Sequence, residues 1–193
     1  MSETSPVVSV NMIPTTSFTG TIGIPLSSTD VSIRDENGAE LAIGESGELC
    51  VKGPQVMPGY WRQDEDNKEA FWPDGYFRSG DAALISDDGF LKIVDRMKDM
   101  VLVSGFNVYP NEIEGVVAMM GEVAECACIG VPDDATGEAV KLFVVKKDES
   151  LTAETIIEYA RKNLTAYKVP KQIAFIDEVP KSTVGKILRR ELR

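Results

Sequence analysis

A chain of 193 residues, 43% hydrophobic and 26% charged, suits one large or two small globular domains and can bury a real core. Its net charge of −11 argues against a general nucleic-acid or anionic-membrane binder. The absence of histidine removes His-based triads, His metal sites and imidazole acid–base chemistry.

The first half reads as β-structure. After a polar start at Met1-Ser2-Glu3-Thr4-Ser5-Pro6, short alternating runs fall between turn signals over residues 20–94. Val31 and Ile33 alternate with polar residues, and Asp35-Glu36-Asn37-Gly38 is a turn. Residues 48–52 form a strand broken by Gly53-Pro54, and a short helical piece is expected near residues 65–71. Residues 82–85 and 90–94 pair across Asp87-Asp88-Gly89 as a hairpin. This half is expected to be a small, distorted β-barrel or sheet.

Residues 93–112 form a joint. Charged Asp95-Arg96-Met97-Lys98-Asp99 lies between two short apolar strands, where unpaired ions would be costly to bury. The second strand breaks at Ser104-Gly105, and Pro110 suits the first turn of a helix. Beyond the joint the period changes. Ile113, Val116, Val117 and Met120 share a helical face over residues 110–120, and residues 123–131 and 140–145 read as strands. Thr152 can cap a helix lined by Ile156, Ile157, Ala160 and Leu164. Residues 172–176 form a last strand and residues 187–192 a last helical turn or two. The fold class is therefore α+β, with residues 1–94, a joint at 95–99 and a small α+β domain at 100–193.

Charge is uneven: residues 1–94 carry 15 acids and 6 bases, whereas residues 95–193 carry 16 acids and 14 bases. The final stretch from Lys181 is locally basic, either to meet phosphates or as a solvated face. Cys50, Cys126 and Cys128 lack metal-site spacing, and Cys126 and Cys128 read as small buried hydrophobes on one strand face. Reduced cysteines without a signal peptide or an apolar run of membrane length point to the cytoplasm.

Few residues have the chemistry of a site. Asp81, after Tyr-Phe-Arg-Ser-Gly, is either a turn aspartate or an acceptor for two ribose hydroxyls. Arg96 could pair with Asp81 or donate to the same sugar. Glu3 is either solvated or a hard-cation ligand. Lys186 lies in Pro180-Lys181-Ser182-Thr183-Val184-Gly185-Lys186, which departs from a phosphate-binding P-loop at Pro180 and Ile187. A lysine on such a loop is a solvated charge or a mobile anion ligand.

Taken in order, five motifs carry a resemblance. They are Ser2-Glu3-Thr4; Gly47-Glu48 through Gly53 to Gly59-Tyr60; Tyr76 through Ser79-Gly80-Asp81; Asp95-Arg96 through Gly105 to Glu112; and Pro180 through Gly185-Lys186. Over nearly its whole length the chain resembles the C-terminal part of an acyl-CoA synthetase of the adenylate-forming, AMP-binding superfamily. The wording of residues 100–114 and of Tyr167-Lys168-Val169-Pro170 is closest to bacterial long-chain fatty-acid–CoA ligases.

The resemblance implies roles residue by residue. Glu3 would hold the Mg²⁺ that bridges ATP phosphates, and Ser2 would stand where the family usually has threonine. Asp81, assisted by Arg96, would bind the ribose hydroxyls of ATP and of the adenylate. Lys98 would be the hinge on which the C-terminal domain turns. Ser104, Gly105, Phe106 and Asn107 would surround the pantetheine arm of coenzyme A. Lys186 would bridge the carboxylate and the α-phosphate during adenylation. The implied substrates are ATP, coenzyme A and a long-chain fatty acid, with a cytoplasmic location or one at the periphery of the inner membrane.

The family's phosphate loop, adenine-stacking aromatic and acyl tunnel are missing from the sequence. The chain is thus expected to be a fragment with negligible ligase activity alone, lacking its N-terminal domain and exposing an apolar face where that domain belongs. Two alternatives stand beside this reading: a non-catalytic or split-subunit module docking a separate N-terminal half, and an aryl- or amino-acid-adenylating enzyme.

Overall fold

The computed structural model describes residues 1–12, 20–183 and 185–193. The chain divides into two compact units, Met1–Met97 and Lys98–Arg193. The division falls inside the short 3₁₀ helix Met97–Asp99, within the charged stretch read as a joint.

In the first unit a 3₁₀ turn, Ser2–Thr4, precedes β1 (Ser9–Val10), which pairs antiparallel with β2 (Ile24–Pro25). Four antiparallel strands follow in sequence order: β3 (Asp30–Arg34), β4 (Gly47–Lys52), β5 (Phe77–Ile85) and β6 (Leu91–Arg96), with α1 (Asp64–Ala70) inserted before β5. The period-two pattern is realised. Ile33, Leu49, Val51, Ala83 and Leu91 are buried together in one apolar cluster, joined by Val8 from the N-terminal segment. The expected hairpin closes at Ser86, whose N–H donates to the Phe90 carbonyl at 2.9 Å. The anticipated barrel does not close. Four strands follow in simple meander order, and beyond them the described residues add single bridges, Leu91 of β6 to Gly23 and Arg34 of β3 to Glu40, so the element is an open sheet and not a closed ring.

The second unit begins with β7 (Val101–Val103) and β8 (Phe106–Val108), followed by α2 (Pro110–Val117). The break read at Ser104-Gly105 is a two-residue hairpin turn. Val103 pairs with Phe106, and Ser104 and Gly105 both have positive φ, 51° and 84°. That conformation matches the right-handed twist of the flanking strands and is what a glycine permits. The three residues of β8 are too few to show a period, so the sequence pattern did not reveal them.

Next come β9 (Val123–Asp133) and β10 (Gly137–Lys146), a long antiparallel pair in which β9 starts where expected and runs past its expected end, and β10 extends past both of its ends. The other edge of β10 takes β11 (Gln172–Phe175) in parallel and meets β7 at Gly137. Between β10 and β11 lies α3 (Ala153–Asn163), whose N-cap Thr152 accepts from the Thr155 N–H at 3.3 Å. The parallel β10–α3–β11 connection needs such a helix to return the chain.

Ile113 and Val117 of α2 and Ile156 of α3 bury against Cys126, Cys128, Val140, Leu142 and Val144 of the sheet. Two helices thereby cover one sheet face, and Cys126 and Cys128 are part of that face as expected. Burial pushes the Cys126 thiol up to about 12 and the Cys50 thiol up to about 11. Both stay protonated near neutrality and are poor nucleophiles.

Candidate functional site

A cleft of about 560 Å³ opens in the first unit. Glu3 enters it from the N-terminal 3₁₀ turn, Tyr60 from a loop, Asp66 and Glu69 from α1, Glu48 from β4, Arg78 to Asp81 from β5, and Arg96 from the end of β6. Five carboxylates therefore face two guanidinium groups. Such a surface repels a bare phosphate, but it accepts hydroxyl donors and an anion already neutralised by a cation.

Strand register creates its central pair. Asp81 and Arg96 are Cα partners across β5 and β6, and Arg96 Nε lies 2.9 Å from Asp81 Oδ1. Arg96 is half-exposed, so this pair adds at most about 1 kcal/mol of stability and acts mainly to orient the carboxylate. Asp81 is aimed by a bulge. In the β4–β5 pairing Glu48 opposes Ala82 and Cys50 opposes Arg78, so Ser79, Gly80 and Asp81 together face Leu49 alone, two residues more than a regular ladder has.

Glu48 sits beneath that bulge, 5% exposed. Its Oε1 accepts from the Gly80 N–H at 3.2 Å and its Oε2 from Arg78 Nε at 2.9 Å. The guanidinium of Arg78 in turn stacks over the Trp72 ring, 4.5 Å from its centroid. In the sequence Glu48 was only one letter of a motif; a glutamate within an otherwise apolar buried strand was the signal available.

Glu3 Oε1 accepts from the Tyr60 hydroxyl at 3.1 Å, and burial together with this bond pushes the Tyr60 phenol up. Among the described residues Oε2 of Glu3 has no protein partner, and no cluster of three or more His, Cys, Asp or Glu is arranged to hold a metal. A single available carboxylate fits Mg²⁺ carried largely by substrate phosphates and water, the usual manner for that ion. Ser2 is exposed and lies outside the cleft lining.

The second unit carries the remaining candidates on its surface. Ser104, Gly105, Phe106 and Asn107 are all exposed at the β7–β8 turn. The turn is fastened at its base: the Ser104 N–H donates to the Thr136 carbonyl and the Leu102 N–H to Glu138 Oε2, each at 2.8 Å. Phe106, 54% exposed, stacks on Tyr167 with centroids 4.7 Å apart and planes at 19°. Lys168, next to Tyr167, bonds both oxygens of Glu112 at 2.8 and 2.7 Å.

Lys186 is exposed on a loop closed by a bridge between Lys181 and Ile187, with the Ser182 N–H donating to the Lys186 carbonyl at 2.8 Å. Its ammonium has no ion pair among the described residues. Val184 of this motif lies outside the described residues. The basic character of the stretch is largely offset elsewhere. Lys181 pairs with Glu125, Arg189 with Glu114 at 2.8 Å and Asp99 at 3.6 Å, and Arg193 with Asp99 at 3.4 Å. Lys98 is exposed, and its carbonyl accepts from Arg193 at 3.4 Å.

The structure thus gathers Glu3, Asp81 and Arg96 at one cleft, while Lys98, Lys186 and residues 104–107 belong to the second unit. No helix among the described residues is long and apolar enough to cross a membrane.

Residues 1–61 match the AMP-binding enzyme family and residues 112–186 the AMP-binding enzyme C-terminal domain. The chain is 56% identical over its full length to a long-chain-fatty-acid–CoA ligase of Salmonella typhimurium, of which it covers 34%. It is 42% identical over 175 residues to a feruloyl-CoA synthase of Amycolatopsis, covering 90% of this chain and 35% of that protein. Among solved structures, ATP-bound MatB from Rhodopseudomonas palustris superposes with a TM-score of 0.91 at 37% identity, over all of this chain and 39% of that one. The chain spans about a third of the length of these relatives, and it belongs to the family of AMP-binding, adenylate-forming enzymes.

Proposed function

We propose that this chain supplies the ribose-binding cleft and the C-terminal domain of an ATP-dependent, AMP-forming acyl-CoA ligase acting on long-chain fatty acids. The observation that carries this reading is the acidic cleft that Asp81, held by Arg96, lines together with Glu3. A carboxylate with two acceptor oxygens suits a vicinal diol, and a neighbouring glutamate suits a nucleotide's counter-ion.

In the proposed first step a fatty-acid carboxylate oxygen attacks the α-phosphorus of ATP. The bond to pyrophosphate breaks, giving an acyl adenylate. Two anions must approach each other, so positive charge placed between them lowers the barrier. Lys186 would provide it, as an exposed ammonium on a loop. Mg²⁺ held through Glu3 and the phosphates would supply further charge neutralisation. Asp81 and Arg96 would retain the ribose through both steps, with Ser2 beside Glu3.

In the second step the thiol of coenzyme A attacks the acyl carbonyl carbon. The bond to AMP breaks, and the thiol proton passes to solvent. The exposed β7–β8 turn would accept the pantetheine arm along Ser104, Gly105, Phe106 and Asn107; a side chain added at Gly105 would meet nothing within 4 Å, so that surface is open. Lys98 would act as the hinge between the two half-reactions.

The test is a chimera in which this chain replaces the corresponding C-terminal third of the Salmonella relative. Fatty-acid-dependent pyrophosphate release and acyl-CoA formation from oleate are the expected results. A folded chimera inactive with every acid tried would sink the reading. Activity with aryl acids but not oleate would move the assignment to an aryl-CoA ligase, a reading favoured by the similarity to feruloyl-CoA synthase.

A further inference from the structure

We propose that Glu48 is the positioning residue for Asp81 and thereby sets the preference for a ribonucleotide over a 2′-deoxyribonucleotide. The inference rests on the reading that Asp81 receives the ribose hydroxyls, and it adds a residue that meets no substrate atom in that reading.

The argument starts from an expense. A carboxylate buried in a strand is costly unless its oxygens are satisfied, and an apolar pair in place of a buried ion pair is often neutral for stability. Glu48 is 5% exposed, and its two oxygens are divided between a backbone N–H and a guanidinium, Gly80 at 3.2 Å and Arg78 at 2.9 Å. Those two partners flank Ser79 on the bulge, and Asp81 follows directly.

A bulge lacks the regular ladder bonds that would otherwise hold it, so its shape depends on other contacts. Here the Gly80 N–H is held from below by Glu48, and the Asp81 N–H donates to Ser79 Oγ at 3.1 Å. Gly80 itself has φ +69°, where a side chain is strained although the space around it is open. From above, Arg96 holds Asp81 Oδ1 at 2.9 Å. The backbone that leads into Asp81 is therefore held by Glu48, and the Asp81 carboxylate by Arg96. Displacing a positioned group by about 1 Å costs a site on the order of 100-fold.

Glutamine cannot replace Glu48 here. Its amide offers one acceptor oxygen to two donors, and its NH₂ group would face either the Gly80 N–H or Arg78 Nε. The bulge should relax, and Asp81 should lose its two-point grip on the sugar.

The experiment measures kcat/KM for ATP and for 2′-deoxy-ATP in pyrophosphate exchange by the chimera described above. A hydroxyl bonded to a charged acceptor predicts a preference for ATP on the order of 10- to 100-fold. Glu48→Gln should reduce that ratio to about threefold or less, chiefly by slowing the reaction of ATP. The ratio is independent of how much enzyme folds, so partial destabilisation cannot imitate the result. Gly80→Ala approaches the same bulge without touching the buried carboxylate and should also lower the ratio; it decides the matter if Glu48→Gln does not accumulate. Retention of the unsubstituted ratio by Glu48→Gln, or by Gly80→Ala in that case, overturns the inference alone. A chimera that is inactive, or active without any preference for ATP, overturns the underlying reading of the cleft and the inference with it.

Discussion

The two units present their functional groups in opposite ways. In the first, Asp81 is built into a sheet: cross-strand register places Arg96 beside it, and a buried glutamate holds the bulge that aims it. In the second, Lys186 and residues 104–107 stand on exposed turns, and Lys186 has no ion pair among the described residues. A group that must grip one ligand part throughout a reaction gains from preorganisation. A group needed in only one step gains from being presented on a surface that can come and go. This contrast accords with the proposed cycle, in which the sugar stays bound while lysine and turn are used in succession.

Breaking the exposed side of that contrast should have the largest effect. In the chimera, Lys186→Ala should slow adenylation by about 100- to 1000-fold, the scale expected when one preorganised charge is removed from a developing anion. Thioester formation from supplied acyl adenylate should change by less than about threefold, because that step involves no attack on phosphorus. Single-turnover measurement of each half-reaction separates the two. Equal loss in both steps would mean that Lys186 serves the fold or the nucleotide generally rather than adenylation.

How much of this could be read beforehand follows the same division. The paired strands of the first unit announced themselves through alternation at Val31 and Ile33 and through the turn at Asp87-Asp88-Gly89. Helix α3 did so through Thr152 and the Ile156, Ala160 spacing. Asp81 and Arg96 were legible as candidate partners, but their meeting depends on a register that a sequence pattern does not contain. Glu48 left only the signal of a glutamate in an apolar strand, because the role of a buried carboxylate is recognised by what lies around it. The stack of Phe106 on Tyr167 spans 61 residues of chain, and the hairpin that presents Phe106 has strands too short for a period. The anticipated barrel stayed an open sheet, since alternation specifies which face is buried and not whether the edges meet.

The stack sharpens the comparison on the second unit. Phe106 projects from an exposed turn, and Tyr167 is the surface that keeps its ring in one orientation. Tyr167→Leu should raise KM for coenzyme A by about two- to tenfold, as the roughly 0.5–1.5 kcal/mol attributed to such a ring pair implies. Tyr167→Phe should retain the unsubstituted value, since the stack requires the ring and not the hydroxyl. Adenylation rates should be unaffected in both. A loss shared by Tyr167→Phe would assign the effect to the hydroxyl instead.

The smallest expected effect lies beneath the same turn. Asp133, at the end of β9, accepts from the Ala135 N–H at 3.1 Å, the Thr136 N–H at 3.0 Å, the Thr136 hydroxyl at 2.7 Å and Lys171 at 3.0 Å. These bonds, the Thr136 hydroxyl and then Lys171 foremost, pull its carboxyl down to about 2 from 3.8. A carboxylate lowered on folding stabilises the protein above its unfolded pKa and loses that contribution as pH falls through the folded value. The advantage of the unsubstituted chain over Asp133→Asn should therefore be constant from neutrality to about pH 4 and fade towards pH 2. Asp133 is partly exposed and its partner Lys171 half-exposed, so the Tm difference should be small, and matched melts across that range would follow it. The Thr136 carbonyl accepts from the Ser104 N–H, so loosening Asp133 should also speed hydrogen exchange at Ser104. Exchange at Gly80, on the buried clamp of the other unit, should stay unchanged. Equal acceleration at both amides would erase the distinction between a turn presented at the surface and a carboxylate built into a sheet.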